Sequence, residues 1–200
     1  MTSVRLANTE YRVMARNLLE WSGLGPVGRP VGDPGYRLVT ECREWPGYSS
    51  CADNGHWLLF RVGIRCLFVN RAENKGWKVG ANVSALAFAP VAQVCHHTDR
   101  YAAGDIVIIW NRPDTEDAHV MCVVAHEGDV LTVSEYGQPG GHLATRTLTR
   151  NADGNLMCGH RELHRWISLT DAIDYAEKLG ELAEPDLSCL DTPTPEGLVT

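Results

Sequence analysis

Two residues of this chain have the types and surroundings needed for covalent amide chemistry, Cys51 and His119. Cys51 stands in Ser49-Ser50-Cys51-Ala52-Asp53, ahead of a run from His56 to Cys66 in which Leu58, Leu59, Phe60, Val62 and Ile64 can bury one side. Ser50 with Asp53 is a capping-box pattern, although Gly55 weakens the first turns, so Cys51 is expected at the first helical position. A thiol there is favoured as the nucleophilic thiolate by unpaired N–H groups and the helix dipole. The same N–H groups can hold the oxyanion of a tetrahedral intermediate. His119 opens an apolar run directly after the polar loop Asn111 to Ala118, where its ring can face a helix terminus as the base. A third group must orient that imidazole. The next run, Val133-Ser134-Glu135-Tyr136-Gly137-Gln138, offers Glu135 or Gln138.

These residues need a helix laid across a sheet. From Asn8 to Trp21, Tyr11, Met14, Leu18 and Trp21 recur at helical spacing, with Asn8 or Thr9 as cap and Gly23 as stop. The stretch 23–36 is rich in glycine and proline and reads as a surface loop. After a polar stretch from Asn70 to Asn82, the segment Val83 to Val94 reads as a short helix or irregular. Strand patterns follow at Ile106 to Trp110, His119 to Ala125 and Val130 to Glu135, with further strands at Leu143 to Leu148 and Glu162 to Ile167. A helix from Leu169 to about Leu182 carries a Ser168-x-x-Asp171 capping box. The expected organisation is an N-terminal helix and loop at 1–44, a core at 45–168, a C-terminal helix at 169–184 and a tail at 185–200.

The order of a cysteine at a helix start, then Gly104-Asp105-Ile-Val-Ile-Ile-Trp110, then His119-Val120 on an apolar strand, then a polar residue on the next strand, resembles the CHAP amidases and NlpC-type peptidases over about residues 45–140. The resemblance implies a papain-like α+β fold, with N-terminal helices packed on a central antiparallel sheet and an extra C-terminal helix. It implies Cys51 as nucleophile, His119 as base and Glu135 as orienting acid. Many CHAP members carry Asn two residues after the acid, where this chain has Gly137. That fourth role is vacant or passes to Gln138. The implied function is a cysteine amidohydrolase or endopeptidase acting on bacterial peptidoglycan, as a phage lysin, a virion-associated hydrolase or a delivered toxin. A phage particle or secretion machine would then be its partner. The alternatives are a non-catalytic virion component on the same scaffold and a transferase using the same pair.

Bulk properties narrow the field. A net charge of -7 and a pI near 5.6 argue against nucleic acid, which is gripped by clustered Lys and Arg. The longest apolar runs fall far short of the roughly 20 residues that span a bilayer, and the N-terminus shows no secretory leader, so synthesis in the cytoplasm is expected. Seven cysteines in a loose arrangement suit reduced thiols. Cys95-His96-His97 and Cys158-Gly159-His160 with His164 collect metal-friendly side chains but lack paired ligand spacing, so neither metal nor cofactor is expected. Asp105 reads as a turn-fixing residue rather than a reactant. Trp45, Tyr48, Trp57, Trp77 and Trp110 could wall a groove or fill a core.

Overall fold

The computed structural model describes residues 5–23, 51–66, 86–110, 118–136 and 143–190. Among the described residues, helices α1 (Asn8–Gly23), α2 (Cys51–Arg61) and α3 (Leu169–Leu179) accompany seven strands. The strands are β1 (Ala92–Val94), β2 (Ile106–Trp110), β3 (Ala118–Glu127), β4 (Val130–Tyr136), β5 (Leu143–Arg150), β6 (Leu156–Cys158) and β7 (Arg161–Ile167). All pairings are antiparallel.

The strand order is β1-β7-β2-β3-β4-β5-β6, and β6 also pairs with β7. Six strands, β2 to β7, therefore close into a barrel, and β1 is added outside β7. This overturns the expected papain-like α+β fold. The closing contact is short, Met157 opposite Glu162 and Cys158 opposite Arg161. It joins two strands whose other edges already belong to one sheet.

The apolar runs are filled on both faces, as a barrel with helices outside it requires. Val107, Ile109, Met121, Val123, Leu131, Val133, Leu148, Leu156, Cys158 and Leu163 come from all six barrel strands and form one buried cluster, the barrel interior. Ile106, Ile108, Val120, Cys122 and Ile167 belong to a second cluster with the helices. Alternation along β2 and β3 assigns successive side chains to the two clusters. That explains why Ile106 to Ile109 is uniformly apolar.

Local chemistry fixes the helices against this wall. Ser168 caps α3, its hydroxyl accepting from the Asp171 N–H, and Gly180 ends the helix in a left-handed conformation. Asp105 ties three elements together. Its Oδ2 accepts from Ala102 N at 2.9 Å, its Oδ1 accepts from Leu169 N at 2.9 Å, and Arg12 of α1 pairs with it. Gly104 has φ +88°, and a Cβ there would lie 2.6 Å from both Ala15 Cβ and Leu169 Cδ2, so only glycine lets α1 and α3 meet the start of β2. Among the described residues no helix is long and apolar enough to cross a membrane.

Candidate active site

Cys51 begins α2, as expected. The capping partner Ser50 lies outside the described residues, as do Gln138, Trp45, Tyr48 and Trp77. The helix packs against β3 and β4. Gly55 makes the close approach possible, since a Cβ at that position would lie 3.2 Å from Val120 Cγ1 and 3.3 Å from Ile106 Cδ1. Asn54, in the first turn, donates from Nδ2 to the Ser134 carbonyl at 3.4 Å and so ties the helix start to β4 beside Glu135.

Strand parity supplies the other groups. His119 shares its face of β3 with Met121 and Val123, and Glu135 shares its face of β4 with Leu131 and Val133, so both point with the barrel-interior set at one barrel end. His119 Nε2 lies 2.8 Å from Glu135 Oε2. The ring also hydrogen-bonds the Cys51 side chain. The structure thus brings Cys51, His119 and Glu135 into one line, nucleophile to imidazole to acid.

A fourth member had not been singled out in the sequence. Arg146 of β5 places Nε 2.7 Å from Glu135 Oε1. Its position opposite Val133 puts it diagonal to Glu135 across the β4–β5 ladder. The signal was present in the pattern, because Arg146 stands two residues before Leu148, on the face that Leu148 turns inward.

Burial and charge act against each other here. Burial opposes a charged imidazole, yet hydrogen bonds to Cys51 and Glu135, reinforced by their charge, outweigh it and raise His119 to about 9. For Glu135 burial favours the neutral acid, but the hydrogen bond and charge of His119 and the charge of Arg146 prevail and hold its carboxyl below the usual range. His119 therefore carries its proton at neutral pH, held against the Glu135 carboxylate.

No family model matches the chain. No curated protein matches it either. Among solved structures, it is similar to the crystal structure of Ly7917, with 19% identity, a TM-score of 0.38, and coverage of 78% of this chain and 62% of that chain. It is also similar to the crystal structure of Ly7917 with the hydrolyzing product of MDP, with 15% identity, a TM-score of 0.35 and the same 78% and 62% coverage. The chain thus spans 62% of the length of the Ly7917 chain.

The other candidates fall elsewhere. Asp105 lies at the junction of α1, β2 and α3, and Trp57 is fully buried in the core. Cys158 points into the barrel interior. Among the described residues no three His, Cys, Asp or Glu side chains gather in a metal-holding group. Burial pushes the Cys95 thiol up to about 12 and raises Cys122 as well, which keeps both as poor nucleophiles near neutral pH.

Proposed function

We propose that the chain is a cysteine amidohydrolase or endopeptidase, with Cys51 as nucleophile, His119 as general acid and base, and Glu135 as the group that orients and charges the imidazole. The observation that carries this reading is the His119 ring held between the Cys51 side chain and the buried Glu135 carboxylate. A buried imidazole hydrogen-bonded to both an acid and a thiol is suited to moving a proton between sulfur and a leaving group.

In the proposed cycle the Cys51 sulfur attacks the carbonyl carbon of an amide, and the electrons of the C=O bond move onto oxygen. In this cycle the N–H groups at the start of α2 receive that oxyanion. Collapse expels the amine, which takes its proton from His119 and leaves a thioester on Cys51. Water then attacks the thioester while His119 takes its proton, releasing a carboxylic acid and restoring the sulfur with the protonated ring. Glu135 stays ionised throughout and fixes the tautomer.

Peptide crosslinks and stem peptides of bacterial peptidoglycan are the proposed substrates, following the CHAP and NlpC-type resemblance of the motif order. The test is release of new amino groups from purified peptidoglycan by the wild type and by Cys51→Ala. Release that vanishes in the variant supports the reading. Equal release from both, or none from the wild type on peptidoglycan and on a panel of peptides, overturns it. Added free amines separate hydrolysis from transfer by the mass of the product.

A further inference from the structure

Glu135 is fully buried, and a carboxylate so placed takes up a proton unless opposite charge meets it. Among the described residues two cationic groups reach it, on different oxygens. His119 of β3 holds Oε2 at 2.8 Å, and Arg146 of β5 holds Oε1 at 2.7 Å through Nε. Beyond His119 stands Cys51 of α2, and beyond Arg146 stands Cys158 of β6, whose Sγ is 3.7 Å from Nη1. The guanidinium is thus fixed at two points, while 43% of its side-chain surface remains in contact with solvent.

The two cations differ in permanence. An arginine does not lose its proton at any working pH, whereas His119 must give its proton to the leaving amine in the proposed cycle. In the interval when the ring is neutral, Glu135 would be a buried carboxylate with no positive partner among the described residues if Arg146 were absent. It would then draw a proton, become a hydrogen-bond donor, and face His119 Nε2 with the wrong polarity.

We infer that Arg146 is a positioning residue for the Cys51–His119 pair, holding Glu135 as a carboxylate with Oε2 aimed at His119 while the imidazole is neutral. The catalytic half of this inference rests on the proposed function. The hold on Glu135 rests on the geometry alone.

The test compares the wild type with Arg146→Gln and Arg146→Lys by two readouts, the Glu135 carboxyl titration followed by carbon NMR and the pH profile of Cys51 alkylation. Loss of the charge in Arg146→Gln is expected to raise the Glu135 midpoint by about one unit, the lower end for an opposite charge in contact because the guanidinium is partly solvated. The acid limb of alkylation moves up with it. Arg146→Lys restores the charge without the Nε contact, so its Glu135 midpoint stays close to wild type while alkylation slows across the whole pH range. A Gln variant whose Glu135 titration and acid limb both superimpose on the wild type overturns the inference. Should that variant fail to fold, a Lys variant with wild-type alkylation rates overturns it instead. If Cys51 of the wild type is no more reactive than the other thiols, the enzymic reading fails, and the carboxyl titration still decides whether Arg146 governs Glu135.

Discussion

His119 holds its proton more tightly in the folded chain than in the unfolded one, and the consequence for stability has a definite sign. Its value rises from an ordinary 6.5 to about 9, so its contribution is fully present below about pH 6.5 and is lost as pH rises through 9. The unfolding free energy of the wild type, read from urea titrations, is expected to fall between those values by on the order of 1–3 kcal/mol, and to fall less in His119→Gln. His56 works in the opposite direction. Burial lowers it to about 4, so the unfolded chain binds the proton more readily and stability declines as pH drops from 6.5 towards 4. Replacing His56 should flatten that acid limb. Glu135→Gln keeps the shape and removes the charge that sustains the imidazolium, and the proposed amidase activity should fall roughly 10²-fold or more. Cys51, His119 and Glu135, which the structure brings together, stood out in the sequence because few side chains can serve as nucleophile, base and orienting acid. Arg146 did not, since an arginine on a half-buried strand reads as a solvated side chain until the facing strand is known to carry a buried acid.

At the level of elements, the site depends on how closely α2 lies on β3 and β4. Gly55 looked like a weakness in the helix, costing about 1 kcal/mol against alanine, yet it is where the helix meets Val120 and Ile106. Gly55→Leu is expected to destabilise the fold by about 1–3 kcal/mol through overpacking and to slow Cys51 alkylation by moving the thiol from His119. A thermal melt and a labelling rate on the same sample check both effects. Gly104→Ala, whose clash falls on Ala15 and Leu169 and not on α2, should cost a similar 1–3 kcal/mol from backbone strain and overpacking, with labelling of the remaining folded protein unchanged. Helices were legible because their periodicity and N-terminal caps are local, as Ser168 shows, whereas the end of α3 was placed at about Leu182 and falls instead at Leu179, where Gly180 caps it. The three-residue strands β1 and β6 were not, because so short a run leaves no alternation to read.

Closure of the barrel is a property of the whole molecule, and it is where the sequence reading went astray. A uniformly apolar β2 says that both of its faces are covered, but the pattern is the same whether the second face meets another layer or the inside of a barrel. The decision falls to β6, whose Met157 and Cys158 join β7 and complete the ring. Leu163 fills the interior beside that seam and is 4% exposed, so Leu163→Ala is expected to cost about 2–5 kcal/mol. Leu179, 42% exposed at the end of α3, should tolerate the same change within about 0.5 kcal/mol. The ring presents His119, Glu135 and Arg146 at one end, where α2 delivers the thiol. The pairing of that thiol with His119 is the central claim, and its most direct test is iodoacetamide labelling from pH 5 to 9 with mass-spectrometric site assignment, on the wild type and on His119→Ala. The account predicts rapid labelling confined to Cys51 below pH 7 and a marked slowing in the variant. Labelling of Cys51 no faster than of the other cysteines, and unchanged without His119, would contradict it.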